Sequence, residues 1–141
     1  MKTLTAALVS LVLIGCSTTG QYPHSRRNCD GRDGVKVYFV SFFVETFVPV
    51  TKENITLPHS QCNIIDKGDN RLAAIESLFK ESPENDFDNH HARVKIDFGR
   101  GEPAVYIDRY GHVERGAKFY RVESGSLRRL DRLISGIVYG D

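Results

Sequence analysis

Apart from one N-terminal stretch, this chain of 141 residues has no long apolar run. That stretch, Leu4 to Ile14, is shorter than the roughly 20 residues a helix needs to cross a bilayer core. Charge of one sign is not in excess either, with 19 lysines and arginines against 18 aspartates and glutamates. Such a balance supplies no electrostatic footprint for a nucleic acid, so no nucleic-acid partner is expected. Cysteine is scarce at three residues, and no two are spaced as C-x-x-C, which speaks against a redox pair. No G-x-S-x-G elbow is present, so the serine-nucleophile signature is missing. No internal repeat is evident.

The N-terminus carries the clearest signal. Met1-Lys2-Thr3 supplies one positive charge, and Leu4 to Ile14 is mostly Leu, Val and Ala. Small residues follow. This order reads as a secretory signal peptide. A buried N-terminal helix is the competing reading, and Gly15, Ser17, Thr18, Thr19 and Gly20 continue a helix poorly. Leu13-Ile14-Gly15-Cys16 resembles the lipobox of bacterial lipoproteins. The resemblance covers about the first 20 residues and no more. It implies that the signal is cut before Cys16, that the Cys16 thiol takes a diacylglycerol, and that the new amino group is acylated. Several acyl chains would anchor the protein stably, since each buried methylene is worth about 0.8 kcal/mol. Ser17, rather than Asp, follows the cysteine, which in this class favours the outer membrane. The expected location is therefore the outer membrane, lipid-anchored and facing the periplasm.

Residues 1–15 are expected to be the signal peptide, 16–28 a lipidated flexible tether, and 29–141 a single domain. Ser17 to Asn28 is polar and unable to bury much surface. Cys29 and Cys62 remain once Cys16 is assigned to lipid. An even pair in an oxidising compartment is expected to form a disulfide. It would close a loop of about 34 residues, worth on the order of 3.5 to 4 kcal/mol in the chain-entropy model. Two free buried thiols are the alternative.

Val35 to Val48 is rich in Val and Phe on both parities, which predicts a central strand, or one bent near Ser41. Short strands are expected at Ile55 to Leu57 and Asn63 to Ile65. Asp69 or Asn70 caps a helix over Arg71 to Lys80, with Leu72, Ile75, Leu78 and Phe79 as its stripe. Ala92 to Phe98 alternates apolar and polar, a strand with one wet face bearing Arg93, Lys95 and Asp97. Ala104 to Asp108, His112 to Glu114 and Lys118 to Val122 complete a meander. Ser124 or Ser126 starts a final helix with Leu127, Leu130, Ile134, Ile137 and Val138 inside and Arg128, Arg129 and Arg132 outside. The fold class is α+β: a small antiparallel sheet with two helices on one face, behind an N-terminal flexible tether.

No catalytic set and no cofactor are expected. Glu84, Asp86, Asp88, His90 and His91 form a loose cluster of metal-ligand types, but the EF-hand spacing is missing, so a solvated loop is the plainer reading. Asp97, Asp108 and Glu114 are expected on the wet face as cross-strand ion-pair partners. Tyr110 and His112 flank Gly111 in a turn. What remains is a binding module. Asp86, Phe87 and Asp88 are the candidate partner contact, with Phe87 as anchor and the acids as rim. The expected role is an inhibitor or immunity protein against an envelope-acting toxin or wall-degrading enzyme. The alternative is an accessory lipoprotein of an envelope assembly or secretion machine, which would offer the long apolar strand for strand addition.

Overall fold

The computed structural model describes residues 29, 33–56 and 60–140. The signal peptide, Cys16 and the tether lie outside them. Seven strands form one antiparallel sheet in the order β2-β1-β4-β5-β6-β7-β3. They are β1 (Val35–Phe39), β2 (Gln61–Ile65), β3 (Phe79–Ser82), β4 (Ala92–Asp97), β5 (Val105–Asp108), β6 (His112–Arg115) and β7 (Lys118–Val122). Helix α1 (Asn70–Glu76) precedes β3, and a short 3-10 turn leads into α2 (Leu127–Tyr139). The α+β expectation, an antiparallel sheet with helices gathered on one face, holds.

Alternation decides the two faces. Val35, Val37 and Phe39 of β1, Val94 and Ile96 of β4, Val105 and Ile107 of β5 and Val113 of β6 point to one side. There they meet Leu72 and Ile75 of α1 and Leu130, Ile134, Ile137 and Val138 of α2 in a single core. Each such buried aliphatic side chain contributes about 1.5 to 3 kcal/mol. The stripe at 130, 134, 137 and 138 recurs at three and four residues, so α2 lies along the sheet with its arginines outward. Helix α1 begins at Asp69, whose carboxylate accepts the Arg71 N–H at 2.9 Å. Helix α2 ends at Gly140, at φ 81°, a left-handed turn that suits glycine.

Four local expectations are corrected. The strand expected over Val35 to Val48 ends at Phe39. Opposite Phe39, β2 begins at Gln61 and so offers no ladder beyond it; on the other side Val40 N–H still donates to Arg93 O at 2.8 Å, where β4 loses its regular register between Ala92 and Val94. The chain bends at Ser41, and Phe42 turns into the core 6.2 Å from Phe39. Ile55 lies in a turn, its N–H donating to Thr51 O at 2.9 Å, and buries its side chain without strand pairing. The helix expected to run to Lys80 ends at Glu76, because Phe79 and Lys80 pair instead with Val122 and Arg121 of β7. The long apolar strand is also not an edge: β1 is flanked by β2 and β4, which leaves it no free side for strand addition.

Cys29 and Cys62 are disulfide-bonded, with Cα atoms 6.3 Å apart. Cys62 sits opposite Tyr38 in the sheet. The staple therefore ties the start of the domain to β2, at the end of the sheet where β1 runs out.

Candidate binding face and loop end

The side of the sheet away from the helices carries a row that crosses all seven strands. Register places Cys62, Tyr38, Lys95, Tyr106, Glu114, Phe119 and Ser82 directly opposite one another in turn. Neighbouring strands lie about 4.8 Å apart, so the row is roughly 29 Å long. Its central members are half-buried and alternate aromatic with charged. Lys95 Nζ lies 5.7 Å from the Tyr38 ring and 5.9 Å from the Tyr106 ring, within cation–π range.

Two loops lean over this row. Lys52 extends from the segment after β1, bonds Glu114 at 2.8 Å, and stands 5.4 Å from the Phe87 ring and 5.8 Å from Tyr106. Phe87 meets Tyr106 edge to face at 6.5 Å. Both aromatics pack against a small second core of Val50, Ile55 and Ala92.

The residues expected to form the partner contact are thus separated. Asp86 is exposed. Phe87 is half-buried on the row. Asp88 is turned to local work: its carboxylate accepts the His90 N–H at 2.9 Å and bonds His91 Nδ1 at 2.8 Å. That imidazole bond holds the Asp88 carboxyl below the usual aspartate range, helped by the His90 amide. The Glu84 and His90 side chains are exposed. Among the described residues no group of three His, Cys, Asp or Glu side chains is placed to hold a metal ion.

Asp108 and Arg93 correct the wet-face expectation, since both are buried. The Asp108 carboxylate accepts four hydrogen bonds. Oδ1 takes the N–H groups of Tyr110 at 2.8 Å and His112 at 2.9 Å; Oδ2 takes Asp88 N–H and His112 Nδ1, each at 2.9 Å. One carboxylate so joins the turn after β5, the start of β6 and the loop before β4. Gly111 completes the turn at φ 88°, where an added Cβ would stand 3.0 Å from Val122 O, so both conformation and space require glycine. Tyr110 is left exposed between two imidazoles, 5.6 Å from His91 and 6.2 Å from His112. Arg93 is turned inward by an irregularity in register between Ala92 and Val94, which reverses the facing of the strand. Burial pulls its pKa down.

The segment from Ser41 to Pro49 wraps the same end of the sheet. Phe43, Val44, Phe47 and Val48 are all exposed, Phe47 completely. Polar struts hold the segment from behind. Asp131 of α2 accepts from Ser41 Oγ at 3.2 Å and Phe42 N–H at 3.3 Å. Arg93 Nη2 donates to Val44 O at 3.3 Å. Arg109 grips Glu45 with both terminal nitrogens at 3.0 and 2.7 Å, and this keeps the Glu45 carboxyl below its ordinary range.

The row did not stand out in the sequence, and the apolar segment stood out only as part of a strand. The parity of Lys95 and Glu114 placed each on a wet face, but only pairing of distant strands lines them up with Tyr38, Tyr106 and Phe119. The segment read as strand because its composition is that of a strand. No family model, no curated protein and no solved structure matches the chain.

Proposed function

We propose that this chain is an outer-membrane lipoprotein, anchored through Cys16 and facing the periplasm, that acts by binding a protein partner on the open face of its sheet. The role favoured is inhibition of, or immunity to, an envelope-acting toxin or wall-degrading enzyme. The observation that supports binding is the seven-strand row, in which Tyr38, Tyr106 and Phe119 alternate with Lys95 and Glu114. Aromatic side chains contribute large contact area for little lost rotamer freedom, and they dominate protein interface energetics. Lys52 and Phe87 brace the row, so a partner meets a surface already ordered. Asp86 stands exposed at its rim.

The test is site-specific photo-crosslinking from envelopes. A benzophenone side chain at Phe119, on the row, is expected to capture one protein. The same group at Arg100, in the exposed hairpin between β4 and β5, is expected to capture none. Loss of the captured enzyme's activity on adding this protein supports the inhibitor role, whereas capture of a membrane machine supports the accessory role. Equal capture from both positions refutes the open face. Phe87→Ala should weaken binding by more than about 1 kcal/mol. It should also lower the melting temperature, since Phe87 packs on Tyr106. Metabolic fatty-acid labelling tests the anchor: Cys16→Ser should abolish the label, and equal label on both proteins rules the anchor out.

A further inference from the structure

The row leaves one conspicuous surface unexplained. Phe43, Val44, Phe47 and Val48 point outward at the end of the sheet, on a segment held in place by Asp131, Arg93 and Arg109. Contiguous exposed apolar residues on a braced support mark a contact surface. We infer that this segment seats in the interfacial layer of the membrane, a second contact beside the lipid. The inference rests on the anchoring of Cys16 proposed above.

The place where the chain leaves the domain is the first support. Cys29 is bonded to Cys62, opposite Tyr38, one residue before β1 ends. Ser60, two residues before Cys62, lines a hollow of about 300 Å³ together with Thr46, Phe47, Val48 and Val50. The chain's exit and the apolar segment therefore share one end of the sheet. Cys16 and Cys29 are 13 residues apart (29 − 16), a reach of at most about 45 Å. A tether attached at this end lets this end reach the bilayer.

Charge is the second support. The bonds from Asp131 to Ser41 and Phe42 set the first turns of α2 beside the segment. Arg128 and Arg132 are exposed on those turns and form no ion pair among the described residues. Cations flanking apolar side chains suit anionic headgroups above acyl chains. Glu45 is the segment's one acid, and Arg109 neutralises it with a two-point ion pair. Within residues 41–49 the one carboxylate is thus paired with a cation. The open face, at right angles to this end, stays available to a protein partner.

The chain contains no tryptophan, so a single one reports without background. Phe47→Trp protein purified from bacterial envelopes is reconstituted into vesicles of phosphatidylcholine with phosphatidylglycerol. Tyr139→Trp, at the exposed far end of α2, serves as reference. Circular dichroism checks that both fold. The tryptophan at 47 is expected to emit to the blue of that at 139. Brominated lipids should quench it, at a depth of about 5–10 Å, and leave the reference unquenched. Arg128→Glu with Arg132→Glu should reduce that quenching. Equal quenching of both positions by aqueous iodide, with none by brominated lipid, overturns the inference. Protection of position 47 only after envelope proteins are added also overturns it and assigns the segment to a protein pocket. The mass of the N-terminal peptide reads the anchor separately. An unmodified Cys16 refutes anchoring, while lipid quenching in that same sample still decides the seat.

Discussion

Replacing Asp108 tests how the loop end is built. The side chain is fully buried and accepts three backbone N–H groups and one imidazole nitrogen, all within 2.9 Å. Asp108→Ala leaves these donors without an acceptor in a site that excludes water. Each orphaned buried donor costs about 1–3 kcal/mol, and relaxation toward solvent recovers part of that. A loss of about 3–5 kcal/mol is expected, a large share of the 5–15 kcal/mol that holds a typical domain folded. Asp108→Asn refines the argument. Its oxygen retains the Tyr110 and His112 amides, while its NH2 group faces the Asp88 N–H, donor against donor. His112 Nδ1 still bonds if it turns acceptor. One bond of four is lost, and the expected cost is about 1–3 kcal/mol. Urea unfolding with the disulfide intact measures both variants, and an unchanged slope confirms that the midpoint reports stability. Asp97→Asn, on the open face, is the control and should stay within about 0.5 kcal/mol. An Asp108→Ala protein as stable as the control would refute the account of Asp108 as the tie between the turn, β6 and the loop before β4.

Cys62→Ser, or reduction of the native protein, should cost about 2–4 kcal/mol, read as a lower urea midpoint, with the greatest loss of amide protection in β2; protection unchanged at β2 would count against the staple. Acid should weaken the loop 84–91 and the start of α1. The carboxyls of Asp88 and Asp69 are held below their ordinary values by His91 and Arg71. A carboxylate depressed in the folded state contributes stability that is complete above its unfolded pKa of about 3.9 and is lost as pH falls through the lower folded value. Asp69→Asn should therefore narrow the stability difference between pH 6 and pH 3, and an unaltered difference in equilibrium unfolding would contradict that assignment.

The sequence by itself determined what depends on neighbours in the chain. The alternation of Ala92 to Phe98 was enough to predict β4, and the spacing of Leu130, Ile134, Ile137 and Val138 was enough to predict α2 and its buried side. Both follow from a fixed backbone period that sorts side chains onto faces. Asp69 before Arg71 carried the helix start for a similar local reason. Tertiary structure alone decided the rest. Val40 to Val48 has strand composition, yet a strand needs partners: beyond Phe39 β2 no longer runs beside it, and β4 loses its regular register between Ala92 and Val94. Phe79 ends a helical stripe, yet β7 offers its backbone and that of Lys80 a ladder. Asp108 stands at a wet parity, but the amides that bury it come from positions 88, 110 and 112, brought together by chain reversals. The row from Tyr38 to Phe119 exists only because strands far apart in sequence pair in one register. Local periodicity sets which way a residue points; long-range pairing sets what it meets there.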